Sequence, residues 1–448
     1  MSKRFLHQAL IVLMVTVVVA GLMIASAFSE PRWKGKTLRL CIVNYEVPIC
    51  KALAPEFEQI TGAKLELYEA PYGETFEKIM TGLITRAGTY DVIGPSYDWI
   101  GPMVPFLMPL DDYFAKTPEI PLDDYVPNFL NRARLSDQGV TDPNGKLYAY
   151  PFDGDIWVLY YRKDLFDKEG ITPPDTWEEF IKVAEHFTRD WTYTPGDGKK
   201  FFGTGLMYDK VYAYIGTHFT TKLAAYKGSL DPMTLFFDEN LKPAFNDEAG
   251  IKALSVMKEL KKYAPPGVMS WQYAQSKDAF YQEKTAMLVS WQSVGMGANN
   301  PAESNIVDKW WVAPMPKGVI RASADGNGRS WAITSDTADP DLAWEWIKFW
   351  ADYDRMIAVT RSGAGMDPAR EAPYHDSELL KDFPFLEIVW ESIKVDVPFP
   401  VMPETPRLFE TLSGYLQSAV LGEKTFKNAL DEAAREWEYT LEDAGYYD

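Results

Sequence analysis

Between residues 37 and 94 the sequence switches repeatedly between strand-like and helix-like segments. TLRLCIVNY is followed by a helix from Ile49 through FEQITG, then by KLELYEA, the helical ETFEKIMTGLITRAG and the short apolar DVIG. Neighbouring parallel strands need a crossover between them, and a helical crossover covers a face of the sheet. This order therefore predicts an α/β fold with a mostly parallel sheet and helices on both faces. Gly62 and Gly88 stand where helix C-caps are expected. Sheets of this kind bind ligands beyond the carboxyl ends of their strands. That rule points to loops 44–46 and 94–98, and within them to Tyr45, Glu46, Ser96 and Asp98.

Further along, PPDTWEEFIKVAEHF predicts an amphipathic helix, with Thr176 as N-cap and Glu179 completing a capping box. GRSWAIT predicts a strand leading into the helix DPDLAWEWIKFWADY, whose Trp344, Ile347, Phe349 and Trp350 recur at helical spacing and are expected in the core. Helical segments close the chain. With 448 residues, 46% of them hydrophobic, the chain can bury more than one core. It contains no repeat and no Ser/Gly linker, so two interwoven lobes are expected rather than beads on a string.

A net charge of −19 without a basic stripe argues against a nucleic-acid partner. Four scattered His and two Cys give no zinc spacing, and neither a metal nor a cofactor is expected. Cys41 and Cys50 fall in a strand and in the following helix, too far apart by expectation to bridge. At the N-terminus, Lys3 and Arg4 precede an apolar run and then Ala25-Ser26-Ala27, the pattern of a secretory signal over residues 1–27. The alternative is an uncleaved anchor, since the run from Ala9 to Ala27 approaches the about 20 residues of a membrane span. Neither cysteine follows a lipobox.

The stretch GKLYAYPFDGDIWVLYYRKDLF, residues 145–166, interrupts an aromatic strand-like run with Asp153 and Asp155. In one extended strand, Asp153, Asp155 and Trp157 would share a face. Such a face suits either paired carboxylates doing catalysis or a ligand held without chemistry.

Several segments in order carry a family resemblance. They are FEQITGAKLEL with KIMTGLITRAGTYDVI, PLDDYF, the stretch above continued as DKEGITPPDTWEEF, AFYQEKTAMLVSW, VAPMPKG and SWAITSDTADPDLAWEWIKFW. The chain resembles the family 1 extracellular solute-binding proteins of ABC importers, the group that includes the maltodextrin binders. The resemblance implies a two-lobed periplasmic-binding-protein clamp of type II-like form, each lobe a mixed sheet flanked by helices, joined by crossing hinge strands. It places lobe 1 at 28–150, with a segment near 312–362 returning to it, and lobe 2 at 151–311 and 363–448. It also implies a monomeric, secreted, non-catalytic protein of the periplasm or cell exterior, which delivers a sugar or polyol to a membrane permease.

Aligned on YRKDLF, Asp155 falls where the maltodextrin binders carry a ligand-contacting glutamate, and Glu46 and Asp98 match family aspartates. Asp209 and Tyr212 fall near a family Glu and Tyr. Trp291, with Gln292 beside it, falls near a stacking tryptophan, although SWQS replaces the family's Gly-Pro-Trp turn. The glycine-rich ADGNGRSW adds Arg329 and Trp331, and TRSGAGMDPAR adds Arg361. The implied ligand set is therefore Tyr45, Glu46, Ser96, Asp98, Asp153, Asp155, Trp157, Asp209, Tyr212, Trp291, Gln292, Arg329, Trp331 and Arg361. Two other readings stay open. Acids and aromatic rings also suit a cation such as a polyamine. Asp153 and Asp155, roughly 7 Å apart on a strand, also come near the about 5–9.5 Å spacing of glycosidase carboxylates. No GxSxG elbow and no phosphate loop is present.

Overall fold

The structure, a computed structural model, describes residues 31–189, 200–324, 328–363 and 365–447. The expected signal segment and the first part of ADGNGRSW (325–327) lie outside the described residues. The strands among them are β1 (Thr37–Val43), β2 (Lys64–Ala70), β3 (Val92–Ile93), β4 (Arg134–Leu135), β5 (Lys146–Leu147), β6 (Tyr150–Asp153), β7 (Trp157–Tyr161), β8 (Phe202–Gly205), β9 (Thr285–Trp291), β10 (Trp311–Ala313) and β11 (Arg329–Ile333). They form two mixed sheets, one per lobe, in the orders β2-β1-β3-β11-β6 and β10-β7-β9-β8; β4 and β5 pair separately.

β1 runs parallel to β2 and β3, the predicted arrangement. Its Leu40, Cys41, Ile42 and Val43 are all buried, as a central strand covered on both faces requires. The helix Val47–Thr61 packs Val47, Cys50 and Phe57 inward and ends on Gly62 at φ 81°. A side chain on Gly62 would meet the Lys34 backbone nitrogen at 2.9 Å, so glycine serves both the cap and the close approach. The expected cap at Gly88 is corrected: the next helix, Tyr72–Ile84, stops on Thr85, and Gly88 takes its positive φ beyond that end. Trp344, Ile347, Phe349 and Trp350 of the helix Pro340–Ala351 are buried as expected, with Trp346 edge-on to Trp331 of β11. Both cysteine thiols are free and buried, and burial pushes the Cys41 thiol up to about 11.

In the second lobe β7 is antiparallel to β9 and β10, while β8 is parallel to β9. The capping box forms as predicted: the Glu179 amide donates to Thr176 Oγ1 at 3.1 Å and the Thr176 amide donates back to Glu179 Oε2 at 3.3 Å. The helix Tyr212–Lys227 lies against the helices Glu248–Lys261 and Thr405–Leu421, so the C-terminal segments complete this lobe.

The chain leaves the first sheet for the second at 154–156, and β10, ending at Ala313, and β11, starting at Arg329, again stand in different sheets. β6 pairs with β11, so the first crossing begins after Asp153 rather than after Tyr150. β10 pairs with β7, so the return starts beyond Ala313. A third passage runs alongside, where the Val126 amide of the first lobe donates to Ala369 O and the Gly154 amide donates to Asp367 O. A Cβ on Gly154 would stand 2.7 Å from Pro368 O and 2.9 Å from Ala369 Cα. Only glycine lets the two passages touch.

Candidate functional site

Between the lobes lies a cavity of about 340 Å³, within the range of small-molecule sites. The first lobe contributes Asn44, Tyr45 and Tyr72, the second Tyr214, Tyr273 and Trp291, and the crossing contributes Asp153, Asp155 and Gly365. Helices Tyr72–Ile84, Tyr212–Lys227 and Tyr273–Tyr281 all bring their N-terminal ends to this space. These termini carry the positive end of the helix dipole, although the Glu74 and Tyr214 amides already donate to Pro71 O and Val211 O, each at 2.9 Å.

The crossing explains the Asp-Gly-Asp pattern. β6 ends at Asp153 and β7 begins at Trp157, so the strand alternation breaks at Gly154. Asp153 and Asp155 still reach the cavity. Trp157, expected on the same face, is instead fully buried in the second lobe: its ring meets Trp291 and His218 edge-on at 5.4 and 4.7 Å. The third passage brings Asp367 to the aspartates, with its amide donating to Asp153 Oδ1 at 2.6 Å. One oxygen from each of Asp153, Asp155 and Asp367 lies within 4.8 Å of the others. Burial pushes the Asp153 carboxyl up to about 8. Burial, then the charge on Asp153, holds Asp155 and Asp367 well above the usual carboxylate range.

Several expected ligand residues take other work. Arg329 is fully buried and faces Glu46, 1% exposed, with Nε to Oε1 at 2.7 Å; it also donates to Ser96 Oγ at 3.1 Å and to Gly94 O. That pair locks the cleft-side loops of the first lobe beneath Tyr45, which is 46% exposed in the cleft mouth. Ser96 also bonds Tyr72 at 2.9 Å. Tyr212 donates to Asp98 and accepts from Trp99 Nε1 at 2.6 Å, so these three side chains bind lobe to lobe rather than lining the cavity. Asp209 accepts from the Val211 amide at 2.9 Å. Gln292 sits behind the wall, donating to Gly154 O and to Tyr374 Oη. Trp331 stacks on Phe152 at 4.4 Å inside the first lobe. Arg361 pairs with Asp382 at the surface. Of the expected set, Tyr45, Asp153, Asp155 and Trp291 line the cavity.

The residues missed left some trace in the sequence. Tyr214 is two positions beyond Tyr212 in MYDKVYAY, and Asp367 lies in the TRSGAGMDPAR segment that suggested Arg361. Tyr72 and Tyr273 stand at helix starts with no pattern to mark them. Both Tyr214 and Tyr273 approach Trp291 edge-on, at 6.2 and 5.6 Å, and brace its ring at the cavity.

The Asp98 contact has a pH consequence. Burial pushes its carboxyl up to about 6, against the bond from Tyr212. A carboxyl raised on folding holds its proton more tightly in the folded chain. Stability is therefore reduced above pH 6 and restored as pH falls toward the unfolded value of about 3.9. Asp98→Asn keeps an acceptor for Tyr212 and is expected to be more stable than the parent at pH 8, with the gain shrinking to nothing at about pH 4. Urea titrations at the two pH values check this; an equal gain at both would remove the buried-charge explanation.

The family described as bacterial extracellular solute-binding protein matches residues 46–354. A probable amino-acid ABC transporter periplasmic-binding protein of Sinorhizobium fredii, y4oP, is 24% identical over 436 residues, covering 94% of this chain and 93% of its own. The mannitol-binding protein of Pseudomonas aeruginosa is 27% identical over 401 residues, covering 83% and 84%. Among solved structures, an ABC transporter solute-binding protein of Agrobacterium radiobacter in complex with ribitol superposes with a TM-score of 0.80 at 27% identity, covering 92% of this chain and all of the other.

Proposed function

Because the chain belongs to the bacterial extracellular solute-binding proteins, we propose that it is the extracytoplasmic binding subunit of an ABC importer. It captures a sugar or polyol between its lobes and delivers it to the membrane permease. The observation that carries this reading is the make-up of the cavity: carboxylate acceptors from the crossing, helix N-terminal donors and aromatic faces from both lobes. A hydroxyl both donates and accepts, so a polyhydroxylated ligand satisfies both kinds of partner, and its C–H surface packs on Trp291 and Tyr45. Asp153 and Asp155 are the assigned acceptors.

The mannitol binder and the ribitol complex, each at 27% identity, favour a small polyol. The amino-acid name of the Sinorhizobium relative suggests a ligand with a carboxylate, but the described lining has two aspartates and no arginine or lysine to meet it. We assign no catalytic step. The three aspartates cluster at one place and would flank a glycosidic bond from one side only. The family is extracellular, and the reading includes a signal cleaved near Ala27 and a monomeric mature chain.

Capture would close the cleft only if the ligand binds the closed form better than the open one. Carboxylates at the crossing and rings on both lobes meet one ligand only when the lobes meet. A thermal-shift panel of mannitol, ribitol, maltose, amino acids and spermidine tests the proposal, with the bound compound recovered afterwards. A polyol or sugar at about a hundred times its dissociation constant should stabilise the fold by about 2.7 kcal/mol. If only spermidine shifts the melting temperature, or a sugar returns hydrolysed, the assignment is wrong.

A further inference from the structure

We propose that Asp153, Asp155 and Asp367 form a cation site on the cleft floor, taking a divalent ion of the calcium class whose remaining coordination positions face the cavity and accept ligand hydroxyl oxygens. The second half of this statement rests on the polyol or sugar reading above; the cation site itself does not.

The geometry fits an oxygen-ligated ion. Calcium takes oxygen ligands at about 2.3–2.6 Å, so two ligands on opposite sides of it stand about 4.6–5.2 Å apart. One oxygen from each of the three aspartates lies within 4.8 Å of the other two. A set made only of carboxylates suits calcium, magnesium or manganese rather than zinc or copper. Calcium is favoured because its coordination is irregular and expandable, whereas magnesium demands a near-octahedral shell and keeps its waters.

An independent observation points to something missing. Asp367 is 1% exposed, and neither of its carboxylate oxygens meets a donor at good hydrogen-bond geometry, although the Ser293 amide and the side chains of Asp155 and Gln292 stand close to it. The side chain of Gln292 lies against it, itself fully buried, and its Oε1 is likewise without a donor. Buried polar atoms are nearly always paired, and leaving several acceptors together without donors is costly. The nearby guanidinium of Arg329 is paired with Glu46; its charge reaches Asp153 and Asp155, but it falls behind burial among the influences on either carboxyl. A divalent ion would take the place of the protons these carboxyls otherwise hold, satisfying the orphaned oxygens and stabilising their ionised form. It would also be accessible, since Asp153 and Asp155 line the cavity and Asp155 is only partly buried.

The cluster depends on the crossing. Asp153 and Asp155 flank Gly154, and Asp367 is joined to that turn by the Gly154 amide to its carbonyl and by its own amide to Asp153. An ion here would fasten the first crossing to the third passage.

Calorimetry on the chelator-stripped protein, titrated with calcium chloride and then with magnesium chloride, reads the site without any sugar. The expected result is a single equivalent of calcium per chain, weaker magnesium binding, and terbium luminescence sensitised through the nearby Trp291. Asp367→Asn should lower calcium affinity by about tenfold or more. If that variant fails to fold, Asp155→Asn, at a partly exposed position, carries the same test. No calcium heat and no terbium signal at millimolar ion, or undiminished calcium binding in the folded variant, would overturn the proposal.

The coupling is read by titrating mannitol and ribitol with calcium present and with EDTA. A loss of about tenfold or more in EDTA is expected, as for removal of a charged partner. Equal affinity in both buffers overturns the coupling while leaving the importer reading intact. If no polyol or sugar binds in either buffer but calcium still does, the importer reading fails and the cation site stands. A polyamine that binds in EDTA and is not displaced by calcium would assign the orphaned acceptors to an organic cation instead, against the proposal.

Discussion

Replacing Arg329 with methionine is expected to destabilise the fold by about 3–5 kcal/mol, because it leaves the buried Glu46 carboxylate without its counter-charge. The guanidinium is fully buried and makes four contacts: two with Glu46, one with Ser96 Oγ and one with Gly94 O. Breaking one half of such a pair is worse than removing both, since the remaining charge must then be desolvated alone. A double variant, Arg329→Met with Glu46→Leu, should therefore recover part of the loss, although Gly94 O and Ser96 still lose a donor. Urea melts of the parent, both single variants and the double variant measure the coupling directly. A loss below about 1 kcal/mol for Arg329→Met, the level of an exposed pair, would mean that water reaches the site. The functional consequence follows from position. Arg329 joins β11 to the two loops that end β1 and β3, and the first of those loops carries Tyr45 into the cleft.

Gly154→Ala is expected to damage stability and binding together. The added Cβ meets Pro368 O at 2.7 Å and Ala369 Cα at 2.9 Å, and backbone atoms yield less than a side chain. Forced overpacking of this kind costs about 1–3 kcal/mol. It also pushes the 367–369 passage away from the crossing, which strains the Gly154 amide bond to Asp367 O and the Gln292 bond to Gly154 O. With Asp367 displaced, the carboxylate cluster opens. Polyol affinity should fall on the order of 10- to 100-fold even in the fraction that stays folded, the size expected for disturbing charged hydrogen bonds. Calorimetry below the melting transition, alongside a urea melt, separates the two effects. A variant with normal stability and normal affinity would show that the two passages slide apart freely and that their contact does not position the site.

The alternation of TLRLCIVNY, KLELYEA and DVIG with helices determined the first lobe's parallel strands, and capping chemistry at Gly62 and at Thr176 with Glu179 fixed helix ends. These are local effects: period, propensity and caps act over a few residues, so one stretch of sequence contains them. The apolar spacing of AWEWIKFW likewise placed that helix in the core. The crossing at Asp-Gly-Asp was legible as an interruption, and its two carboxylates do reach the cavity.

What tertiary structure decided was the partner of each polar group. Glu46 and Arg329 were each expected at the ligand, but they are 283 positions apart and meet each other in the interior, where a lone charge is costly. Asp98 and Tyr212, from opposite lobes, face each other across the interface. Trp157 turned inward because the strand breaks at Gly154, which a rule based on alternation through one continuous strand does not anticipate. Asp367, 214 positions from Asp153, completes the carboxylate cluster only because a glycine lets two passages of the chain touch. Sequence spacing locates pairs that are neighbours along a helix or strand; it carries no record of which distant segments will be pressed together when two lobes are built from interleaved pieces of one chain.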